Sequence, residues 1–188
     1  MARSLDHSDA LLVVDVQNDF CPGGALAVPE GDGVVAELNR WLGKAVRGGA
    51  VVCASRDWHP AGHVSFRERG GPWPTHCVQR SWGAALREDL HLPPDALVVD
   101  KGTRPDLDNY SAFDGTGLAA LLRARGVTRV WIGGLALDYC LLASALDAVK
   151  EGFETHLLVS ATRPVEVEAG DGERALLRMR AAGVHIEH

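Results

Sequence analysis

The chain's 188 residues suffice for one domain with a substantial core and fall short of two comfortable ones. Hydrophobic residues make up 46% and charged residues 23%, a globular balance, and a formal charge of -6 without any cluster of Lys or Arg argues against a nucleic-acid surface. The longest apolar stretches are strand-sized, far below the ~20 residues of a membrane span, and MARSLDHSDA lacks a signal peptide's hydrophobic region, so a soluble cytoplasmic protein is expected.

In chain order, residues 10–16 form the first strand candidate, a run of apolar residues that reaches Asp15. A long connection over 17–32 contains Pro22-Gly23-Gly24, and 34–47 follows with helical periodicity, stopped by Gly48-Gly49. The second strand, 50–55, leads to Asp57 and His59 and opens a long loop over 56–82 rich in Gly, Pro, His and Trp. A short, weaker helical pattern covers 84–90, and the third strand, 96–100, ends at Lys101. Helix 117–125, strand 129–133, helix 139–151, strand 155–160, helix 173–182 and strand 184–187 complete the series, with Gly126, Gly152 and Gly183 as helix stops. Strands this apolar are buried on both faces. The β-α alternation predicts a three-layer α/β/α domain over residues 1–188, with a central, mostly parallel six-stranded sheet.

In such sheets the carboxyl ends of the strands share one edge, where sites are built. Asp15, Asp57, Lys101 and Cys140 all follow apolar runs onto that edge. Of the cysteines, Cys53 lies inside a strand, Cys77 follows a potential ligand histidine, and Cys21 sits in a loop without an activating element. They form no CxxC pair and are expected as thiols. Cys140 alone combines a strand end with a helix start, where Asp138 would cap the helix and the dipole would favour a thiolate. No histidine is placed as its base, so Asp15 is the proton acceptor, with Lys101 as a neighbouring cation. The bland alternatives are a cysteine that packs a helix start, a carboxylate that caps a loop and a solvated surface lysine.

A second constellation is Asp57-Trp58-His59, which sets an oxygen and an imidazole two residues apart, with His76 and His63 as further imidazoles. Asp and His ligands suit one divalent transition metal, Zn²⁺ ahead of Fe²⁺ or Mn²⁺. Loop histidines are also common surface groups, and neither HExxH nor finger spacing is present.

Taken together, DVQNDFCPGGALAV, SRDWHPAGHVSF, GPWPTHCVQ, DKGT, DNYSAF and GGLALDYC closely resemble the nicotinamidase (pyrazinamidase) branch of the isochorismatase-like cysteine hydrolases. The resemblance implies Asp15, Lys101 and Cys140 as a catalytic triad and Asp57, His59 and His76 as metal ligands. His63 stands where some members have a further ligand and others do not. It also implies a cis peptide before Ala136, an oxyanion hole from the backbone N–H groups of Ala136 and Cys140, and a ring pocket lined by Phe20, Trp73 and Tyr110. The implied reaction is hydrolysis of a small carboxamide, nicotinamide or pyrazinamide, through a thioester, in the salvage of pyridine nucleotides. Relatives commonly associate, so a homo-oligomer is compatible with it. Two departures, Leu137 in GLALDYC and the segment Arg80-Ser81-Trp82, are expected to reshape the pocket rim. The rival readings are a superfamily amidase with a different amide, a hydrolase of isochorismate, and a binding module on the same fold.

Overall fold

The computed structural model describes residues 4–188. Strands β1 (Asp9–Val14), β2 (Val51–Asp57), β3 (Leu97–Lys101), β4 (Arg129–Leu135), β5 (Glu154–Arg163) and β6 (His185–Glu187) form one sheet in the order β3-β2-β1-β4-β5-β6. Every neighbouring pair is parallel. The chain steps outward from β1 to β3 and then returns to lay β4 against the other side of β1. That reversal opens a crevice at the carboxyl ends of β1 and β4, the place where such sheets bind ligands.

The helices are α1 (Val35–Gly48), α2 (Leu118–Ala124), α3 (Leu142–Lys150) and α4 (Asp171–Ala181). Alternation along β1 divides the core: Ala10, Leu12 and Val14 pack with side chains of α2, α3 and α4, whereas Leu11 and Val13 pack with Val35, Leu38, Leu42 and Ala45 of α1. All β1 residues are buried, which explains why the strand reads as unbroken apolarity from Ala10 to Val14. Among the described residues, no helix is long and apolar enough to cross a membrane.

The structure departs from the sequence expectation at several places. Residues 84–90 are not helical. The carbonyls of Gly83, Ala84 and Ala85 instead accept hydrogen bonds from Asp19 N, Gln17 Nε2 and Asn18 N, which ties this segment to the loop after β1. β5 runs on to Arg163 because its pairing with β4 shifts register between Ile132 and Gly134, giving a bulge that sequence periodicity does not reveal. The helix carrying Cys140 opens with a π-helical turn, Leu137–Leu141, closed by Leu141 N–H to Ala136 O at 3.1 Å. Such turns concentrate at functional sites. Asp138 does not cap this helix: its carboxylate accepts the N–H groups of Val165 and Glu166, each at 2.9 Å, and so holds the loop between β5 and α4.

Candidate active site

Strand register aligns the chemical groups. Val14 pairs with Ser55 on one side and Gly134 on the other, so Asp15 follows directly at the crevice, and Asp57 pairs with Lys101. Gly134 has φ +125°, and a Cβ there would collide with the Val14 backbone, so only glycine lets β4 approach β1 at this point. Asp15 itself has φ +48°, a strained conformation for a residue with a side chain. It is held by its N–H to Ser55 O at 3.1 Å and by Ser55 Oγ, which donates to Oδ1 at 2.7 Å.

Lys101 is buried and joins three groups. Its Nζ lies 2.8 Å from Asp15 Oδ2, 2.5 Å from Asp57 Oδ1 and 3.4 Å from Cys140 Sγ. A carboxylate oxygen of Asp15 and Cys140 Sγ lie within 4.8 Å of each other. Asp15 Oδ2 is buried against the Lys101 ammonium, and the Asp15 carboxylate also faces the Cys140 thiol. Burial raises the Asp15 carboxyl above its ordinary range, with the Lys101 ammonium restraining the rise. Burial pulls the Lys101 ammonium down, but Asp15 and Asp57 more than offset it and hold it well above the ordinary range.

Cys140 departs from the expected thiolate. Burial pushes its thiol well up, and the carboxylates of Asp15 and Asp57 add to that against the opposing pull of Lys101. The resting group is therefore a thiol that needs a base at the moment of attack. The other cysteines are buried too; desolvation raises Cys53 to about 12 and Cys21 to about 11, and Cys77 well above its ordinary value.

The second constellation adjoins the first through Asp57. Its Oδ1 faces Lys101, while Oδ2 lies 3.5 Å from His59 Nε2 and 3.9 Å from His76 Nε2. His59 Nδ1 meets Gly102 O at 2.9 Å and His76 Nδ1 meets Pro74 O at 2.8 Å. Both rings thus direct Nδ1–H at a carbonyl and present the Nε2 lone pair to the space beside Asp57, as metal-binding imidazoles do. Two buried carboxylates, Asp15 and Asp57, also share the single Lys101 ammonium, leaving a negative excess that a cation would neutralise. The donor set fits one divalent transition metal.

His63 stands outside that set. Its Nδ1 meets Ser65 Oγ at 2.8 Å and its Nε2 meets Leu107 O at 3.0 Å, and its ring stacks on His59 with centroids 4.1 Å apart. Both ring nitrogens have protein partners, and His63 lies outside the group of ligand atoms gathered by Asp57, His59 and His76.

A cleft lies over these groups, lined by Cys140, Ala136, Asp57, His59 and His76 at its polar end and by Phe20, Trp73, Tyr110 and Tyr139 along its walls. Trp73 Nε1 donates to Tyr110 Oη at 3.0 Å, and Tyr139 meets the edge of Trp73 at 5.0 Å. Flat aromatic walls suit a planar heteroaromatic ring. The Leu135–Ala136 peptide is cis. Neither sequence departure reaches the cleft. Leu137 is buried in the core beside α3, and Trp82 is 64% exposed outside it.

Sequence reading missed Tyr139, Asp108, Leu26, Val28 and Val165 on the cleft wall. It also missed Gln17, whose buried amide donates to Asp57 O at 2.8 Å and Ala84 O at 2.9 Å and accepts Asp57 N–H at 2.7 Å. Asp19 accepts Cys77 N–H at 2.7 Å and so anchors the loop that carries His76. Polar residues immediately after a buried strand were the available signal for both.

The isochorismatase domain model matches residues 9–187. The chain is 41% identical to the nicotinamidase of Escherichia coli (strain K12), over 94% of this chain and 93% of that protein. A crystal structure of the pyrazinamidase of Pyrococcus horikoshii in complex with zinc superposes with a TM-score of 0.92 at 50% identity, covering 96% of this chain and 99% of that one. PnC1 from L. infantum in complex with nicotinate superposes with a TM-score of 0.88 at 36% identity, covering 100% and 96%.

Proposed function

Because the chain belongs to the isochorismatase family, we propose that it hydrolyses nicotinamide to nicotinate and ammonia, and pyrazinamide at the same site, as a step of pyridine-nucleotide salvage. The observation that carries this reading is the buried Lys101 ammonium in contact with Asp15, Asp57 and Cys140 at the floor of an aromatic cleft.

In this mechanism the substrate ring lies between Phe20, Trp73, Tyr110 and Tyr139, whose aromatic faces hold it over Cys140. Asp15 takes the Cys140 proton as Sγ attacks the carboxamide carbon. The N–H groups of Ala136 and Cys140 hold the oxyanion, and Lys101 keeps Asp15 oriented and balances its charge. Asp15 then gives the proton to the departing nitrogen, ammonia leaves, and a thioester joins the acyl group to Sγ. Asp15 next takes a proton from water, whose oxygen attacks the thioester carbon; the C–S bond breaks, Asp15 returns that proton to Sγ, and the product gives its remaining acid proton to solvent and leaves as nicotinate. A divalent metal held by Asp57, His59 and His76, Zn²⁺ first among the candidates, would supply a coordination point for the ring nitrogen and an ordered water. The test is ammonia release from a panel of carboxamides by the purified protein. Nicotinamide and pyrazinamide are expected as substrates; turnover of other amides with neither of these would overturn the assignment.

A further inference from the structure

The helix that carries the nucleophile holds one polar side chain that the proposed reaction does not use. Ser144 lies one turn after Cys140, fully buried on the face of α3 that Leu142, Ala145 and Ala148 otherwise make apolar. Alanine is the better helix former and would fill that position with no polar atom to satisfy. A buried hydroxyl needs partners, and Ser144 has two. Its Oγ donates to Cys140 O at 2.6 Å and accepts the Ala112 N–H at 2.9 Å. An amide N–H can only donate, so the direction is fixed: Ala112 N–H to Ser144 Oγ–H to Cys140 O. Linked in this way, the two bonds strengthen each other inside the protein.

Ala112 follows the cleft residue Tyr110 by two positions and is itself fully buried. Tyr110 reaches the nucleophile by a second route. Its ring lies 5.7 Å from that of Tyr139, the residue before Cys140, and its Oη accepts Trp73 Nε1–H at 3.0 Å. The cleft wall and the turn of Cys140 are thus joined twice, by aromatic contact in the cleft and by Ser144 in the interior.

We propose that Ser144 is a positioning residue for amide hydrolysis: its hydroxyl sets the turn of Cys140 against the loop of Tyr110, and so fixes where Sγ stands relative to a ring held on that wall. The inference rests on the reaction proposed above. A misplacement of about 1 Å between reacting atoms can cost on the order of 10²-fold in rate. A serine that only satisfied the Ala112 N–H would add to stability and leave the kinetics of the folded enzyme unchanged.

The test is kcat and KM for wild type, Ser144→Ala, Ser144→Cys and Ser144→Thr, each assayed well below its own melting temperature with nicotinamide, pyrazinamide and further carboxamides. Ser144→Ala is expected to lose about 10²-fold in kcat/KM, with kcat lowered as well as KM raised. Ser144→Cys, whose thiol bonds weakly, is expected to fall between alanine and wild type, and Ser144→Thr, which keeps the hydroxyl, to recover most of the loss. Wild-type kcat and KM in Ser144→Ala, or in Ser144→Cys if the alanine variant does not fold, would overturn the positioning role whatever the melting temperatures. A threonine variant that melts like wild type yet is as slow as alanine would overturn the part given to the hydroxyl. Wild-type turnover of other carboxamides alone would overturn the substrate reading, with the role of Ser144 then read on those amides; a wild type that hydrolyses none would overturn both.

Discussion

Lys101 shows how one residue couples the two halves of the site. Placed between Asp15 and Asp57, it keeps two carboxylates buried that would otherwise repel, and it sets Asp15 beside the Cys140 thiol. Asp15→Asn keeps the shape of the side chain and removes its basicity, so ammonia release is expected to fall by about 10²–10⁴-fold with little change in melting temperature. Steady-state kinetics beside thermal denaturation checks this; unchanged kcat would take the base role from Asp15. Trp82→Ala gives the opposite expectation. The ring is exposed and outside the cleft, so kcat/KM for nicotinamide should stay within experimental error of wild type. A specificity change would restore the rim role that the sequence suggested.

At the scale of elements, the strands and helices were legible because their periodicities are plain, and the four chemical residues Asp15, Asp57, Lys101 and Cys140 were legible because each follows an apolar run. What stayed hidden depends on partners distant in sequence. Residues 84–90 carry a helical pattern, but the carbonyls of Ala84 and Ala85 bond to the loop after β1, and the bulge in β5 exists only in its pairing with β4. Whether His63 ligates or supports turns on Leu107, whose carbonyl lies 44 residues away in the chain. Asp138 reads as a cap by position, yet its carboxylate ties down Val165, a cleft residue. Asp138→Ala is therefore expected to loosen the loop between β5 and α4 and to raise KM more than it lowers kcat. Equal changes in both, or a pure loss of kcat, would contradict the part given to this tie.

Across the whole molecule the sheet separates chemistry from anchorage. The carboxyl edge holds the cleft, and the opposite end is closed by Asp9, 1% exposed, which accepts hydrogen bonds from Arg129 Nε at 2.6 Å and Trp131 Nε1 at 3.0 Å. Burial pushes the Asp9 carboxyl up, but these hydrogen bonds outweigh it and leave it below its ordinary range. A depressed folded value means the contribution is complete above the unfolded value of about 3.9 and fades as pH falls through the folded one. Asp9→Asn should thus melt lower than wild type at neutral pH by an amount equivalent to about 1–3 kcal/mol. The gap should close in acid, with catalysis by the folded protein unaffected. A gap that is constant with pH would remove the charge from the explanation.

In the proposed reaction Cys140 makes the bond to the substrate carbon. It is tested most directly by ammonia release from nicotinamide in Cys140→Ala, assayed beside wild type with folding and bound metal measured on the same samples. The expected result is a fall of about 10⁴-fold or more, with fold and metal content intact. Turnover at the wild-type rate in that variant would contradict it.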